Sequence, residues 1–132
     1  MVLNKQMIEE YILPRIHLCA SCGNVRLLQN DESRSENLKF QNDYNLNTRR
    51  RNEMLLSLNI YDFSKSESDY NDNNETVYFF GKNFELDHIE KGPEIVSCYI
   101  KFVFKERKTG EMMLLISFHK ANWTMEHPFK EE

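Results

Sequence analysis

CYIKFVFKERKTGEMMLLISFH, residues Cys98 to His119, reads as a β-hairpin. Cys98, Ile100, Phe102 and Phe104 alternate with Tyr99, Lys101, Val103 and Lys105, the period of two of a half-buried strand. The charged run Glu106 to Gly110 supplies the turn, and Met112 to Phe118 returns. Pairing Lys105 with Glu111 leaves a five-residue loop. It sets Phe104 against Met112, Phe102 against Leu114, Ile100 against Ile116 and Cys98 against Phe118. One face is then wholly apolar, and burial selects that register. The core expected from it is Ile100, Phe102, Phe104, Leu114, Ile116 and Phe118. The other face carries Tyr99, Lys101, Ser117 and His119, with Tyr99 and His119 one diagonal step of about 7–8 Å apart. Pairing Lys105 with Met112 instead would send Tyr99 and His119 to opposite faces. A phenol, an ammonium, a hydroxyl and an imidazole side by side make either a site or an ordinary solvated face. The hairpin alone leaves both open.

Downstream, Lys120 to Trp123 leads into an irregular tail, with Trp123 and Phe129 expected to pack back on the sheet edge. Upstream, Val77 to Phe80 is strongly β-prone and Gly81-Lys82 breaks it. Asp87 to Glu94 reads as a loop closed by Gly92-Pro93. The polar stretches 66–75 and 29–47 read as loops, the latter with a short strand around Leu38 to Gln41. Asn47-Thr48 caps a helix through Leu58, with Met54, Leu55 and Leu58 on its buried stripe. Arg49, Arg50 and Arg51 fall in its first turn, where cations oppose the helix dipole. Solvation or pairing with acidic neighbours accounts for them, or else a phosphate clamp or a basic patch for a partner does. Met1 to about Leu13 has helical apolar spacing, disturbed near Pro14, resuming over Ile16 to Ala20 and stopping at Gly23-Asn24. Cys19-Ala-Ser-Cys22 is half of a zinc knuckle. His17 supplies a third donor and nothing a fourth, so no metal is expected, and the two thiols read as small core residues on one helix face. Helices followed by antiparallel strands predict an α+β fold over 1–132, a single domain. In it, N-terminal helices pack on one face of a small twisted antiparallel sheet.

The 132 residues suit one core. No apolar run approaches the roughly 18 residues that span a bilayer, so no membrane partner is expected. No secretion signal is read, and three cysteines, Cys19, Cys22 and Cys98, fit a reducing cytoplasm better than a disulfide framework. A net charge of −4 weighs against broad nonspecific binding of nucleic acid, DNA included, and allows only a local basic site.

Several pieces stand in a shared order: Arg50-Arg51-Asn52 followed by Leu-Leu-x-Leu; Asp62-Phe63-Ser-Lys65; Tyr78-Phe-Phe80-Gly81-Lys82; Tyr99-Ile-Lys101; Ser117-Phe118-His119-x-Ala121; and Met125-x-x-Pro128-Phe129. Together, over about residues 45–130, they resemble the MqsR-like toxins of bacterial toxin–antitoxin pairs, small messenger-RNA endoribonucleases with a RelE-like α+β fold. The resemblance implies metal-independent RNA cleavage on the sheet, no cofactor, and inhibition by a cognate antitoxin protein. It assigns catalysis to Lys65, from the Asp-Phe-x-Lys motif, to Tyr99, from Tyr-hydrophobic-Lys, and to His119, where the family often has lysine. Arg49, Arg50, Arg51, Lys82 and Lys101 are the expected RNA-binding residues. A glutamine of the family has no clear counterpart in Val77 to Lys82. Such cleavage needs a base for the 2′-hydroxyl proton, an acid for the leaving 5′-oxygen and cations for the charge on phosphate.

Overall fold

Asn4 opens the first helix by accepting a hydrogen bond from the Met7 N–H at 2.9 Å. In the computed structural model, which describes residues 4–28, 35–68 and 75–130, the helical path then runs unbroken through Pro14. It comprises α1 (Lys5–Met7), a π-helical turn (Ile8–Ile12) and α2 (Leu13–Cys22). The wider turn makes room for the proline ring, which would otherwise clash with the carbonyl four residues back. Ile8, Ile12, Leu13, Ile16, Cys19 and Ala20 are buried along one stripe. Gly23, at φ 74°, ends the helix in the left-handed region. Cys22 is exposed, so of the two thiols only Cys19 belongs to the core.

The stretch beyond Gly23 departs from expectation. Val25–Leu27 forms β1, and Ser35–Asp43 is a helix, α3, where a loop with a short strand was expected. Its low apolar content hides the pattern, because its inward residues are only Asn37 and Phe40. Asn47 caps α4 (Thr48–Leu56) as expected, accepting from the Arg50 N–H at 2.7 Å, and Met54, Leu55 and Leu58 are buried. A 3-10 turn (Ile60–Asp62) leads into β2 (Phe63–Ser68).

The remaining strands are longer than the sequence suggested. β3 (Thr76–His88) continues straight through Gly81-Lys82, and β4 (Gly92–Arg107) begins at the glycine taken as a loop closure. The expected loops at 66–75 and 87–94 shrink accordingly: Ser66 to Ser68 and Asp87-His88 are strand, while residues 69–74 lie outside the described ones. β5 (Gly110–Lys120) completes a five-stranded sheet in the order β1-β5-β4-β3-β2. The fold is α+β, but the sheet is mixed rather than antiparallel, since β1 runs parallel to β5. Its helix-side face carries Tyr78, Phe80, Phe84, Ile100, Phe102, Met113, Leu115 and Phe118 into one core with the helices.

The central hairpin does not adopt the expected register. Lys105 pairs with Met112, and Arg107 with Gly110, so the turn is only Lys108-Thr109. Gly110, at φ 119°, sits where a side chain would be strained. Burial could not select between registers, because β5 is apolar at both parities. Met113 and Leu115 enter the helix-side core, while Leu114 and Ile116 pack on the far face with Val77, Phe79, Tyr99 and Val103. Leu114 and Ile116 are therefore not part of the core assigned to them.

In a regular ladder this register would separate Tyr99 from His119. A β-bulge prevents that. Phe102 pairs with Leu115 and Lys101 with Ser117, leaving Ile116 as the extra residue. The parity is restored beyond it, and Tyr99 becomes the direct partner of His119, with ring centroids 5.4 Å apart. A second irregularity works likewise on β2, where Phe63 pairs with Phe80 but Lys65 with Phe79. Ser64 is the extra residue, so Phe63 turns into the core and Lys65, two positions on, turns to the far face.

The tail crosses that far face. Ala121 N–H donates to the Ser97 carbonyl at 2.8 Å, and Trp123 meets the Tyr99 ring at 4.8 Å. Met125 lies over Gly81, where an added Cβ would stand 2.5 Å from its sulfur. Phe129 stacks on Phe63 of the edge strand at 5.6 Å. Phe129 thus reaches the sheet edge as expected, whereas Trp123 covers the middle strand.

Candidate functional site

Two rows of side chains cross the far face. In one, strand pairing aligns Lys65, Phe79, Lys101 and Ser117; in the other, Gly81, Tyr99 and His119. The Phe79 ring is the floor between the two ammonium groups, with Lys65 Nζ 4.7 Å and Lys101 Nζ 5.5 Å from its centroid. Lys65 also pairs with Glu67 at 2.8 Å, an exposed contact with little effect on stability. Tyr99 lies beside Phe79 at 6.3 Å and is nearly covered.

A cleft of about 300 Å³ opens over this floor. Lys65, Phe79, Tyr99, Trp123 and Glu126 line it. His119 does not: it lines a neighbouring cleft of about 240 Å³ with Glu36, Tyr44, His88 and Lys120. The Tyr99 and His119 rings touch, and the two clefts lie on either side of that contact. His119 Nδ1 lies 2.9 Å from the Lys120 carbonyl, so it carries the hydrogen and donates there. Nε2 faces Glu36 Oε2 at 3.4 Å. At the far wall of this second cleft, burial pushes the Tyr44 phenol up to about 12, reinforced by its hydrogen bond to Glu94. The same bond holds the Glu94 carboxyl below its ordinary range.

The other expected RNA contacts are not gathered here. Lys82 points to the helix side of the sheet, where Asp62 holds it at 3.1 Å while also accepting from the Asn59 N–H. Arg49, Arg50 and Arg51 start α4, in the helix layer across the sheet from Lys65 and Tyr99. Arg49 and Arg50 pair with Glu53, four and three residues on respectively, which is the pairing with an acidic neighbour that accounts for them without a ligand. Arg51 is half-buried with Nη2 3.4 Å from the Val25 carbonyl, and burial lowers its pKa.

Three residues that shape the face were not assigned to it from the sequence. Phe79 stands in a β-prone run, in which nothing tells one face from the other. Trp123 sits in a polar, aperiodic tail. Asn37, fully buried, holds the bulge: its Nδ2 donates to the Leu28 carbonyl at 2.9 Å and the Ile116 carbonyl at 3.0 Å, and its Oδ1 accepts from the Phe118 N–H at 2.9 Å. The Cys19-x-x-Cys22 pair lies in the helix layer, and no group of three or more histidine, cysteine or acidic side chains placed to hold a metal occurs among the described residues. Burial pushes the Cys19 thiol up to about 11, unlike a reactive or ligating thiol.

Compared with known proteins, the chain matches no protein-family model, no curated protein and no solved structure.

Proposed function

We propose that the protein is a toxin-type endoribonuclease with a RelE-like fold, cleaving single-stranded messenger RNA in the cytoplasm and restrained by a cognate antitoxin. The observation that carries this reading is the far sheet face, where Lys65 and Tyr99 line one cleft floored by Phe79 and flanked by Lys101. An RNA strand crossing the Tyr99–His119 contact sets its scissile phosphate between the two clefts. Lys65 and Lys101 stabilise the charge that develops on phosphate. Tyr99 and His119 exchange the protons on the attacking and leaving oxygens, with His119 acting through Nε2 once substrate displaces Glu36. The charge field is local, since the chain as a whole is acidic. No helix among the described residues is long and apolar enough to cross a membrane.

Cleavage of a fluorophore–quencher RNA in excess chelator tests this. Wild-type protein should cleave it, and Tyr99→Phe and His119→Ala should each lower the rate by about 10²-fold or more while remaining folded, the scale of a positioned acid or base. Wild-type rates in His119→Ala would remove that residue from the mechanism.

One observation favours a second reading, a non-catalytic RNA- or protein-binding module of the same fold. Lys65 and His119 line separate clefts, and binding needs no shared one. Absence of cleavage by the wild-type protein across varied RNA sequences would select it.

A further inference from the structure

We propose that Trp123 is a stacking platform for one base of the RNA seated in the Lys65–Tyr99 cleft, an inference that rests on reading this face as the RNA site. Trp123 is 54% exposed, although it is the largest apolar side chain of the tail. A single exposed apolar residue is ordinary. What distinguishes this one is its place. The indole forms one wall of the 300 Å³ cleft whose other walls carry Lys65 and Tyr99. Its contact with Tyr99 is edge-on, at an interplanar angle of 64°, and such a contact never covers both faces of the indole.

The indole is also held in position. Ala121 is tied to Ser97 on one side of it, Met125 is seated over Gly81 on the other, and Phe129 is stacked on Phe63 beyond. A platform fixed before binding avoids the ordering cost of an adaptable loop. Stacking on an aromatic face accepts any base and strengthens single-strand binding without a long basic track. That suits a cleft in which Lys65 is already paired with Glu67 and Glu126 forms part of the wall, within an acidic chain. Base-on-indole packing beside two cations is the chemistry of single-stranded RNA, whose bases are free to splay out.

Trp123 is the only tryptophan in the chain, so its emission reports on this wall alone. A short end-labelled 2′-O-methyl RNA, which resists cleavage, would be titrated into the full chain while label anisotropy and indole emission are followed together. The expected result is a rise in anisotropy and quenching of the indole with the same midpoint. Trp123→Ala should weaken binding by about tenfold or more, and Trp123→Phe should recover part of the loss. If anisotropy rises with no change in indole emission, and Trp123→Ala binds as tightly as wild type, the platform is overturned while the RNA reading stands. If anisotropy never rises, the RNA reading fails and the platform with it. Because Trp123 is largely exposed, the variants should melt with the wild-type protein, which a thermal scan checks.

Discussion

Phe102→Ala should lower stability by about 3–5 kcal/mol, the cost of truncating a fully buried aromatic residue. Phe102 has no exposed surface and lies on the central strand of the sheet. Its ring meets Tyr78 at 5.4 Å, Phe80 at 5.8 Å and Phe104 at 5.4 Å. Rigid neighbours on two strands cannot collapse into the space it leaves, so both the transfer and the cavity contribution are lost. Urea unfolding followed by far-ultraviolet circular dichroism measures this as a fall in midpoint with little change in slope. A loss under about 1 kcal/mol, far outside the range for such truncations, would mean that the ring faces away from the core.

Asn37→Leu should cost on the order of 3 kcal/mol even though it adds apolar volume in a buried place. It strands the Leu28 and Ile116 carbonyls and the Phe118 N–H, and each buried polar group left without a partner costs about 1–3 kcal/mol. Two of the three stranded groups flank the bulge in β5. The variant therefore has a local way to relieve the loss, by expelling Ile116 from its position and pairing β5 regularly with β4. That would turn His119 away from Tyr99. The Tyr99–His119 ring-to-ring nuclear Overhauser effect, expected in the wild-type protein at 5.4 Å between centroids, should weaken or vanish in the variant. An unchanged midpoint together with an unchanged ring contact would show that the bulge holds without Asn37. If the proposed endoribonuclease reading holds, RNA cleavage measured alongside separates the two consequences, since loss of stability alone leaves the folded fraction fully active.

These two positions differ in how they were readable. Phe102 belongs to an alternating run whose period of two assigns it to a face without further information. The same local chemistry determined the strand Cys98 to Lys105, the return of Met112 to Phe118, the Asn47 cap with its Met54-Leu55-Leu58 stripe, and the glycine stop at Gly23. Each of these is a short-range preference of backbone or side chain. Tyr99 and Lys101 fell on the far face for that reason too.

The tertiary structure decided what local chemistry leaves degenerate. β5 is apolar at both parities, so its register was set by the two-residue turn, by packing of Leu114 and Ile116 beneath the tail, and by Asn37 reaching in from α3. α3 itself was illegible, because a helix with only two inward residues carries no periodic signal. Two added residues, Ser64 and Ile116, then brought Lys65 and His119 to the face of Tyr99. A bulge is a local exchange of ladder hydrogen bonds for side-chain or loop partners, and those partners come from elsewhere in the chain. The sequence by itself determined which residues have the chemistry for a site. Only the packed sheet, with a buried asparagine and a returning tail, decided which of them share a face and which cleft each one lines.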